Sequence, residues 1–327
     1  GGEAGIGLLA SSLMLEGPIK KDKSSFIVSA RRSYVDMFLK LADQDNLVYF
    51  YDVNAKVNWR ANNKNRFFLA LYAGRDDFNF DGEFGFDWGN KTATFRWNHL
   101  YNDKLFSNTS LIASKFDYGL GSSTQSDGFQ WDSDLTEYSF KQDQNYFFNP
   151  RLSLDFGYHL TYRQFNPGII EPGEGSIFKS TALQKEYALD HAFYAGLEHQ
   201  VSDKLTFQYG ARLSIFQNIG EQMVYEYEDV NNNVQPVRTD STYYGDFENI
   251  KTYINLEPRF SARYIVNEST SIKASYNRMV QNTHLISSGT VPLPFNTWAP
   301  SSTYLLPQKA DQLAVGYFKN LNNNRYE

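Results

Sequence analysis

Strict alternation of apolar and polar residues over long stretches is the feature that most constrains how this chain folds. In the stretch 205–215, Leu, Phe, Tyr, Ala, Leu and Ile occupy the odd positions, and Thr, Gln, Gly, Arg and Ser occupy the even ones. The stretches 51–60, 151–163 and 254–264 are divided in the same way. Because successive side chains of a β-strand point to opposite sides, this pattern predicts strands with one apolar and one polar face.

The length of these runs indicates what kind of strand they form. Strands of soluble proteins usually have about five or six residues, whereas the runs here reach eleven or more. A tilted strand crosses a bilayer with roughly 9–11 residues. The polar faces also carry charge well inside the runs, at Asp155, Arg212 and Arg259. A packed sandwich core excludes such a face, but a wet or plugged barrel lumen accepts it.

The connections between the runs alternate between short and long. Short polar turns are predicted at 20–23, 62–65, 102–104, 149–150, 202–204, 267–269 and 322–324. Longer polar connections, rich in Gly and Asp, are predicted at 37–46, 76–89, 119–130, 166–182, 218–247 and 284–308, with one or two helical turns over 34–42. This asymmetry is typical of outer-membrane barrels, which have short periplasmic turns and long external loops.

The fold class predicted is therefore all-β, an antiparallel transmembrane β-barrel. About thirteen strands can be counted, and a fourteenth would start near Arg325. Because bacterial single-chain barrels close with an even number of strands, we expect residues 1–327 to be one partial barrel domain of a larger protein.

Composition agrees with this class and excludes others. Aromatic residues make up 17 % of the chain, which favours strands and membrane interfaces. The mean hydropathy of −0.52 does not count against a membrane barrel, because only alternate residues meet lipid. With no cysteine, neither disulfides nor thiolate metal sites can form. A net charge of −6 argues against a nucleic-acid partner.

Three segments carry a family resemblance. Residues 16–34 (EGPIKKDKSSFIVSARRSY), residues 252–288 with YINLEPRFS and SIKASYNRMVQ, and residues 292–318 with LPFNTWAPSS and PQKADQ occur in this order. They resemble the barrel of TonB-dependent receptors of the Bacteroidetes type. The resemblance implies a barrel of about 22 strands closed by an N-terminal plug.

The resemblance also implies a function and a set of partners. Such receptors sit in outer-membrane lipid and are opened by the TonB protein. They import a small ligand into the periplasm (a siderophore, cobalamin, a glycan or a peptide), in some cases with a surface lipoprotein. Neither a TonB box, a plug-like segment nor a final strand is recognisable in the sequence, so plug and C-terminal strands are expected outside this chain. No coupling residue is transferred, and no cofactor is implied.

Charged residues of the polar faces are the first candidate site. We expect them to line the lumen, either as a seat for the plug or a ligand path, or as a hydrated wall with compensating ion pairs. They are Arg31, Arg60, Arg96, Asp155, Arg163, Asp190, Glu198, Arg212, Glu257, Arg259 and Arg263. Pro258 lacks the N–H that a strand ladder uses, which predicts a bulge or local break there.

Aromatic residues of the predicted loops are the second candidate site. They could stack on a sugar or siderophore, or pack against one another within the loops. They are Tyr118, Phe129, Trp131, Tyr225, Tyr227, Tyr243, Tyr244 and Trp298. Aromatic residues near the strand ends, such as Trp59 and Trp97, fit interfacial belts or simple strand propensity.

Metal and catalytic sites are not indicated. The acidic loop clusters around Asp76, Asp132 and Glu226 lack EF-hand spacing and fit a solvated surface better than a Ca²⁺ site. The five histidines are scattered, and neither a His-Glu-x-x-His nor a Gly-x-Ser-x-Gly motif occurs. The chain is not expected to be an enzyme. The alternatives to an importer are a passive porin or structural barrel and, less compatible with the long strands and the absence of propeller-type repeats, a soluble all-β carbohydrate-active enzyme or propeller.

Overall fold

The computed structural model describes residues 1–44, 46–81, 83–123, 128–177, 179–228, 236–286 and 297–320. These residues form one short helix and nineteen strands, in the order β1 (Gly2–Ile6), β2 (Ala10–Lys20), β3 (Ser24–Ser33), α1 (Val35–Leu41), β4 (Leu47–Arg60), β5 (Asn65–Phe80), β6 (Phe84–Leu100), β7 (Leu105–Ser122), β8 (Phe129–Asn149), β9 (Leu152–Pro172), β10 (Thr181–Ala182), β11 (Glu186–Ser202), β12 (Leu205–Ile219), β13 (Gln222–Glu228), β14 (Val237–Tyr244), β15 (Asn249–Asn267), β16 (Thr270–Gln281), β17 (Thr283–Ile286), β18 (Thr297–Pro300) and β19 (Gln308–Lys319).

Fifteen of the strands form a single antiparallel sheet, which confirms the predicted all-β fold class. Its order is β1-β2-β3-β4-β5-β6-β7-β8-β9-β11-β12-β15-β16-β19, with the short β10 paired to β9. Two small hairpins, β13–β14 and β17–β18, form separate two-stranded sheets. Within the described residues, β1 pairs only with β2 and β19 only with β16, so this sheet is open. None of the helices described is long and apolar enough to cross a membrane.

The two sides of the sheet differ in chemistry, as the alternation predicts. Residues that are paired across strands point to the same side, so Leu213, its partner Phe193 in β11 and its partner Leu256 in β15 share one face. We call this side the apolar face. Its residues are exposed, as at Ile254 (66 %) and Val315 (75 %). The opposite side, which carries Arg212, is the polar face.

Asparagine side chains hold four of the six described short turns, at 62–65, 102–104, 149–150 and 267–269. The Asn62 side-chain oxygen accepts hydrogen bonds from the backbone N–H groups of Lys64 and Asn65, both at 2.9 Å. Asn102 does the same for Lys104 and Leu105, at 2.9 and 3.0 Å. Because such a side chain replaces a backbone acceptor, the hairpin can reverse within very few residues. These turns match the predicted positions, and 322–324 lies outside the described residues.

The long connections were predicted too long. β5 extends to Phe80 and β6 begins at Phe84, so most of the predicted connection 76–89 is strand. β9 likewise extends to Pro172, and the connections 218–247 and 284–308 contain the β13–β14 and β17–β18 hairpins. The cause is that Gly and Asp residues occupy ladder positions once the strands leave the apolar zone. The turn predicted over 34–42 is the helix α1.

Aromatic residues gather where the apolar face approaches the short turns. Trp59 stacks on Phe67 with ring centroids 5.4 Å apart, and Phe67 stacks on Trp97 at 6.2 Å. His99 continues the row, packed between Trp97 and Tyr101. Amphipathic rings in such a row suit the boundary between an apolar layer and water.

Candidate functional site

All eleven charged residues predicted for the lumen lie on the polar face by strand register. The structure brings five of them into two groups, Arg163 with Asp190, and Arg212 with Glu257 and Arg259. The other six are separate. Arg31 pairs with Asp52 at 2.8 Å, Arg60 bonds to Asn63 beside a short turn, and Glu198 accepts a hydrogen bond from Gln208. Asp155 accepts a hydrogen bond from Asn145 in β8, whereas Arg96 and Arg263 lie apart in their own strands.

Four residues in adjacent strands form a hydrogen-bonded row across the polar face. Tyr194 donates to Oδ1 of Asp143 at 2.6 Å, and Nε2 of His159 lies 2.9 Å from the same oxygen. The Arg212 guanidinium lies 3.5 Å from Nδ1 of His159. Because the guanidinium can only donate, Nδ1 must accept, and Nε2 carries the proton that faces Asp143. The row therefore links β8, β9, β11 and β12.

The absence of a side chain at Gly157 makes this row possible. Gly157 lies between Asp143 and Tyr194 in the register of β8, β9 and β11. A Cβ atom there would come within 2.6 Å of the Tyr194 hydroxyl. The tyrosine therefore passes over β9 where the strand has no side chain, and reaches the carboxylate two strands away.

Glu257 is the most enclosed carboxylate of the polar face. It is only 5 % exposed, and its oxygens lie 3.9 Å from Arg212 and 4.0 Å from Arg259. Two guanidinium groups thus share one buried negative charge. A groove of about 470 Å³ runs beside this group and is lined by Asp155, His159, Tyr194, Arg212 and Arg259, among others. Apolar residues also line this groove, so its lining is mixed.

The break predicted at Pro258 occurs on one side of β15 only. Pairing with β12 continues through Pro258, which faces Ala211 without a bulge. Pairing with β16 begins only at Arg259, opposite Asn277. β15 and β16 therefore diverge beyond this point, and a second groove of about 670 Å³, lined by Arg163, Glu257 and Gln281, opens there.

Arg163 connects two carboxylates on neighbouring strands. Its Nε lies 2.8 Å from Glu137 in β8, and its Nη1 lies 3.4 Å from Asp190 in β11. The Ser139 hydroxyl also donates to Glu137, at 3.0 Å. The other oxygen of Asp190 is buried and has no hydrogen-bond partner among the described residues. Arg163 therefore balances two partly buried charges.

An apolar cluster on the polar face supports the β17–β18 hairpin. Phe165, Ala188 and Phe216 are buried together, and Trp298 of β18 packs against them. Tyr253 contacts the same cluster and donates to the backbone oxygen of Ser302 at 2.7 Å. The hairpin thus covers the part of the polar face that carries this cluster.

The eight aromatic residues predicted for loop surfaces all lie in strands and divide into three groups. Tyr118, in β7, is buried and hydrogen-bonded to Ser133 and to Thr297 of the β17–β18 hairpin, so it belongs to the packing beneath that hairpin, as does Trp298. Phe129 and Trp131 lie in β8. The other four lie in the β13–β14 hairpin: Tyr225, Tyr227, Tyr243 and Tyr244. Tyr227 and Tyr243 are 48 % and 57 % exposed.

Glu186 is a titratable group that sequence reasoning missed. It is the first residue of β11, before the part of the strand that carries the apolar stripe, and it pairs with buried Phe165. Burial raises the pKa of Glu186 to about 7. Asp143, His159 and Tyr194 were missed as well. The alternation in the sequence predicts on which face of its strand each of them lies. That the three side chains meet at Gly157 depends on the register between strands, which the sequence does not give.

The acidic clusters predicted in loops lie mainly in strands. Asp76 and Asp77 belong to β5, Asp132 and Asp134 to β8, and Glu226 and Glu228 to β13, while Asp229 lies outside the described residues. In the part of the chain that the structure describes, no three His, Cys, Asp or Glu side chains are grouped closely enough to hold a metal ion.

A second arginine–carboxylate group lies on the apolar side of the sheet. Arg75 in β5 reaches Asp117 in β7 at 2.7 Å and also pairs with Asp87 in β6. Gly89 lies between Arg75 and Asp117 in the register, and a Cβ atom there would be 3.2 Å from the guanidinium. These charges mark the point on β5–β7 where the apolar stripe ends.

Comparison with known proteins agrees with this architecture. The family profile described as TonB dependent receptor-like, beta-barrel matches residues 29–326. No curated protein has a sequence that matches the chain significantly.

Solved structures with the same fold cover nearly all of the chain at low sequence identity. The ferric-catecholate import receptor Fiu from Escherichia coli K12 has a TM-score of 0.63 and 16 % identity, with 97 % of this chain and 54 % of that one aligned. The ferric yersiniabactin uptake receptor FyuA from Yersinia pestis has a TM-score of 0.63 and 12 % identity, covering 95 % and 50 %. The hemophore receptor HasR from Serratia marcescens has a TM-score of 0.62 and 11 % identity, covering 94 % and 48 %. The chain thus spans about half the length of the structures it matches.

Proposed function

Since the chain belongs to the TonB-dependent receptor β-barrel family, we propose that it forms part of the wall of an outer-membrane barrel that imports a ligand into the periplasm. In this arrangement the apolar face meets lipid and the polar face lines the interior. The short turns lie on the periplasmic side, and the β13–β14 and β17–β18 hairpins lie toward the outside.

The complete protein would contain parts that this chain does not supply. We propose an N-terminal plug that contacts TonB, further strands that close a barrel of about 22 strands, and a relationship to receptors of the Bacteroidetes type. The ligand classes compatible with the family are siderophores, cobalamin, glycans and peptides, with a surface lipoprotein as a possible partner for the last two.

The observation that favours import over passive diffusion is that the β17–β18 hairpin packs on the polar face. It packs through Trp298 onto Phe165 and Phe216, so the interior is narrowed by protein near its outer end. A porin would need that space to be filled with water. The eleven charged residues then serve as a hydrated wall and plug seat. Tyr227 and Tyr243, exposed on the β13–β14 hairpin, are the first aromatic contacts for an arriving ligand.

Uptake by the full-length protein, with and without functional TonB, tests this proposal. The probes are a radioiron-loaded catecholate siderophore, cyanocobalamin, a labelled oligosaccharide and a labelled oligopeptide. We expect accumulation of one probe class only when TonB is functional. Solute flux that is independent of TonB and selects only by size would contradict import and support a porin.

A pair of tryptophan variants tests the role of the hairpin. Trp298→Ala removes the ring that anchors β18, and we expect increased leakage of small polar antibiotics through the membrane. Trp59→Ala, at the short-turn end of β4, removes an aromatic ring without touching the hairpin. Equal leakage in both variants would show that the hairpin does not restrict the interior.

A further inference from the structure

Two lysines stand directly opposite each other on the apolar side of the sheet. Lys91 in β6 is paired in register with Lys115 in β7, and both side chains are exposed. They share a face with Ala93 and Ala113, the next residues on that side in each strand. Like charges at directly opposed strand positions repel, so the pair destabilises the free sheet unless an anion lies between them.

The cations around this pair are neutralised more fully than the lysines are. Arg75, nearby on the same side, is held by Asp87 and Asp117. Lys115 has one carboxylate, Asp134, at 3.6 Å. Among the described residues, Lys91 has no carboxylate within ion-pair distance. The lysine pair therefore keeps positive charge available, at the edge where apolar side chains give way to charged ones.

A groove lies directly below the lysines on the apolar face. It has a volume of about 510 Å³, and its floor is made by Ala93 and Ala113 because their neighbours are much larger. Tyr138 and Tyr162 continue the alanine row across β8 and β9. The neighbouring row, one step nearer the short turns, is formed by Leu69, Phe95, Leu111, Phe140 and Leu160. A hydrocarbon chain fits a lining of this kind.

We propose that this groove and the lysine pair bind one phosphorylated lipid of the outer leaflet. An acyl chain lies over Ala93 and Ala113, and a headgroup phosphate sits between the ammonium groups of Lys91 and Lys115. The inference rests on the proposed placement of the apolar face in the outer membrane, with the short turns toward the periplasm. The lysine stems reach along the apolar surface while their ammonium groups stay at the headgroup level.

Binding of fluorescent, bisphosphorylated lipid A to the purified full-length protein in detergent tests the site. We expect the variant Lys91→Gln/Lys115→Gln to bind this lipid at least tenfold more weakly than the unmodified protein. The matched control is Lys56→Gln/Lys273→Gln, which removes the same charge from the polar face. Lys56 and Lys273 lie over the rings of Phe68 and Phe318. We expect the control to retain full affinity.

A second pair of variants tests the groove while keeping the lysines. Ala113→Phe fills the floor of the groove, and Ala262→Phe adds the same ring to the apolar face of β15, outside the groove. We expect only Ala113→Phe to lower lipid affinity. Heat-modifiable migration on a gel reports whether each variant still forms the barrel.

Several results would overturn the proposal. If both double lysine variants lose lipid affinity equally, the lysine pair has no specific role in binding. The same conclusion follows if lipid A without phosphate binds as tightly as bisphosphorylated lipid A. Displacement of the lipid by inorganic phosphate at similar concentration would reduce the site to a general anion site. If ligand uptake proves independent of TonB while lipid A still binds through Lys91 and Lys115, the proposed import function fails and this inference stands.

Discussion

The same ionic arrangement occurs twice in this sheet, once on each face. On the polar face, Arg163 joins Glu137 and Asp190, which lie in the strands on either side of its own. On the other face, Arg75 joins Asp87 and Asp117, in the next two strands along the sheet. Arg163 is 19 % exposed and Arg75 is 34 % exposed. The first group balances charge in a partly enclosed interior, whereas the second marks where the apolar surface ends.

The comparison shows that charged residues are distributed differently along the strands on the two faces. Ionic groups extend along much of the polar face, from Arg31 in β3 to Arg263 in β15. On the apolar side of β5–β8 they appear only beyond the alanine row of Ala93 and Ala113. Because lipid tolerates charge poorly at the bilayer centre but well at its edge, this distribution is the one expected if the apolar face lies in the outer membrane as proposed.

Removing Arg163 is expected to have the largest effect. Arg163→Met leaves Glu137 and Asp190 as partly buried carboxylates without their shared cation. We expect the free energy of unfolding to fall by about 3 kcal/mol. Urea unfolding of the full-length protein in detergent provides the measurement. A loss below about 1 kcal/mol would mean that water already solvates these carboxylates.

The titration of Glu186 should produce the next largest effect. Its folded-state pKa of about 7 is above the ordinary value of 4.5, so the folded state binds more protons than the unfolded state between these values. The contribution of Glu186 to the free energy of unfolding is therefore fully present below pH 4.5. It is lost as the pH rises through 7, which lowers the free energy of unfolding by about 2 kcal/mol.

The control for this titration is a pair of glutamine variants. Glu186→Gln should flatten the dependence of unfolding on pH between 4.5 and 7, because it removes the titrating group. Glu171→Gln, at the exposed end of β9, should leave the dependence unchanged. A pH profile that Glu186→Gln does not alter would show that another group is responsible.

Glycine variants test the row that crosses β9. Gly157→Ala places a methyl group against both the backbone oxygen of Gln142 and the Tyr194 hydroxyl, so it should strain the pairing of β8 with β9 and separate the tyrosine from Asp143, at a cost of about 1.5 kcal/mol. Gly196→Ala, in the adjacent strand, adds the same methyl group with its nearest neighbour 3.8 Å away, and should be close to neutral. Similar unfolding curves for the two variants would contradict the geometry of the row.

Removing Arg75 should have the smallest effect. Arg75→Met removes an arginine that is more exposed than Arg163, although the carboxylates of the two groups are exposed to a similar degree, and we expect a loss of about 1 kcal/mol in unfolding free energy. The same urea titration that serves for Arg163→Met makes the two variants directly comparable. A loss equal to that of Arg163→Met would mean that both groups are buried alike, and the distinction between the faces would fail.

Much of the fold could be predicted from local sequence. Alternation identified the strands around 205–215 and 254–264, and the polar turns at 202–204 and 267–269 marked where the first begins and where the second ends. Both signals act within one strand or one turn, so they need no knowledge of neighbouring strands.

The stretch 105–118 is predicted to be a strand mainly from its place between two turns, because local alternation is a weak signal there. Its alternation is poor because residues 115–118, the part farthest from the short turn at 102–104, reverse the usual pattern. Lys115 and Asp117 lie on the apolar side, beyond the apolar stripe. On the opposite side, Tyr118 is buried beneath the β17–β18 hairpin, hydrogen-bonded to Thr297. Both facts depend on height along the strand and on a distant hairpin, neither of which local periodicity records.

The candidate site was predictable only as a face. The alternation of odd and even positions placed Arg163, Arg212 and Glu257 on the polar side. It did not show that Tyr194 reaches Asp143 over Gly157. That contact depends on the register of three strands at once. Glu186 was missed because a single glutamate at a strand start gives no sign of burial until the strands beside it are in place.

The most direct test of the two-faced wall uses adjacent residues on opposite sides of β12. The chain has no cysteine, so Gln208→Cys and Tyr209→Cys can each carry one spin label in the full-length protein, in a background without other reactive cysteines. In outer-membrane vesicles, we predict that the label at 208 is relaxed more by a water-soluble nickel chelate, and the label at 209 more by lipid-dissolved oxygen. Equal accessibility of both labels to the chelate would contradict a wall with one side in lipid and the other in a hydrated interior.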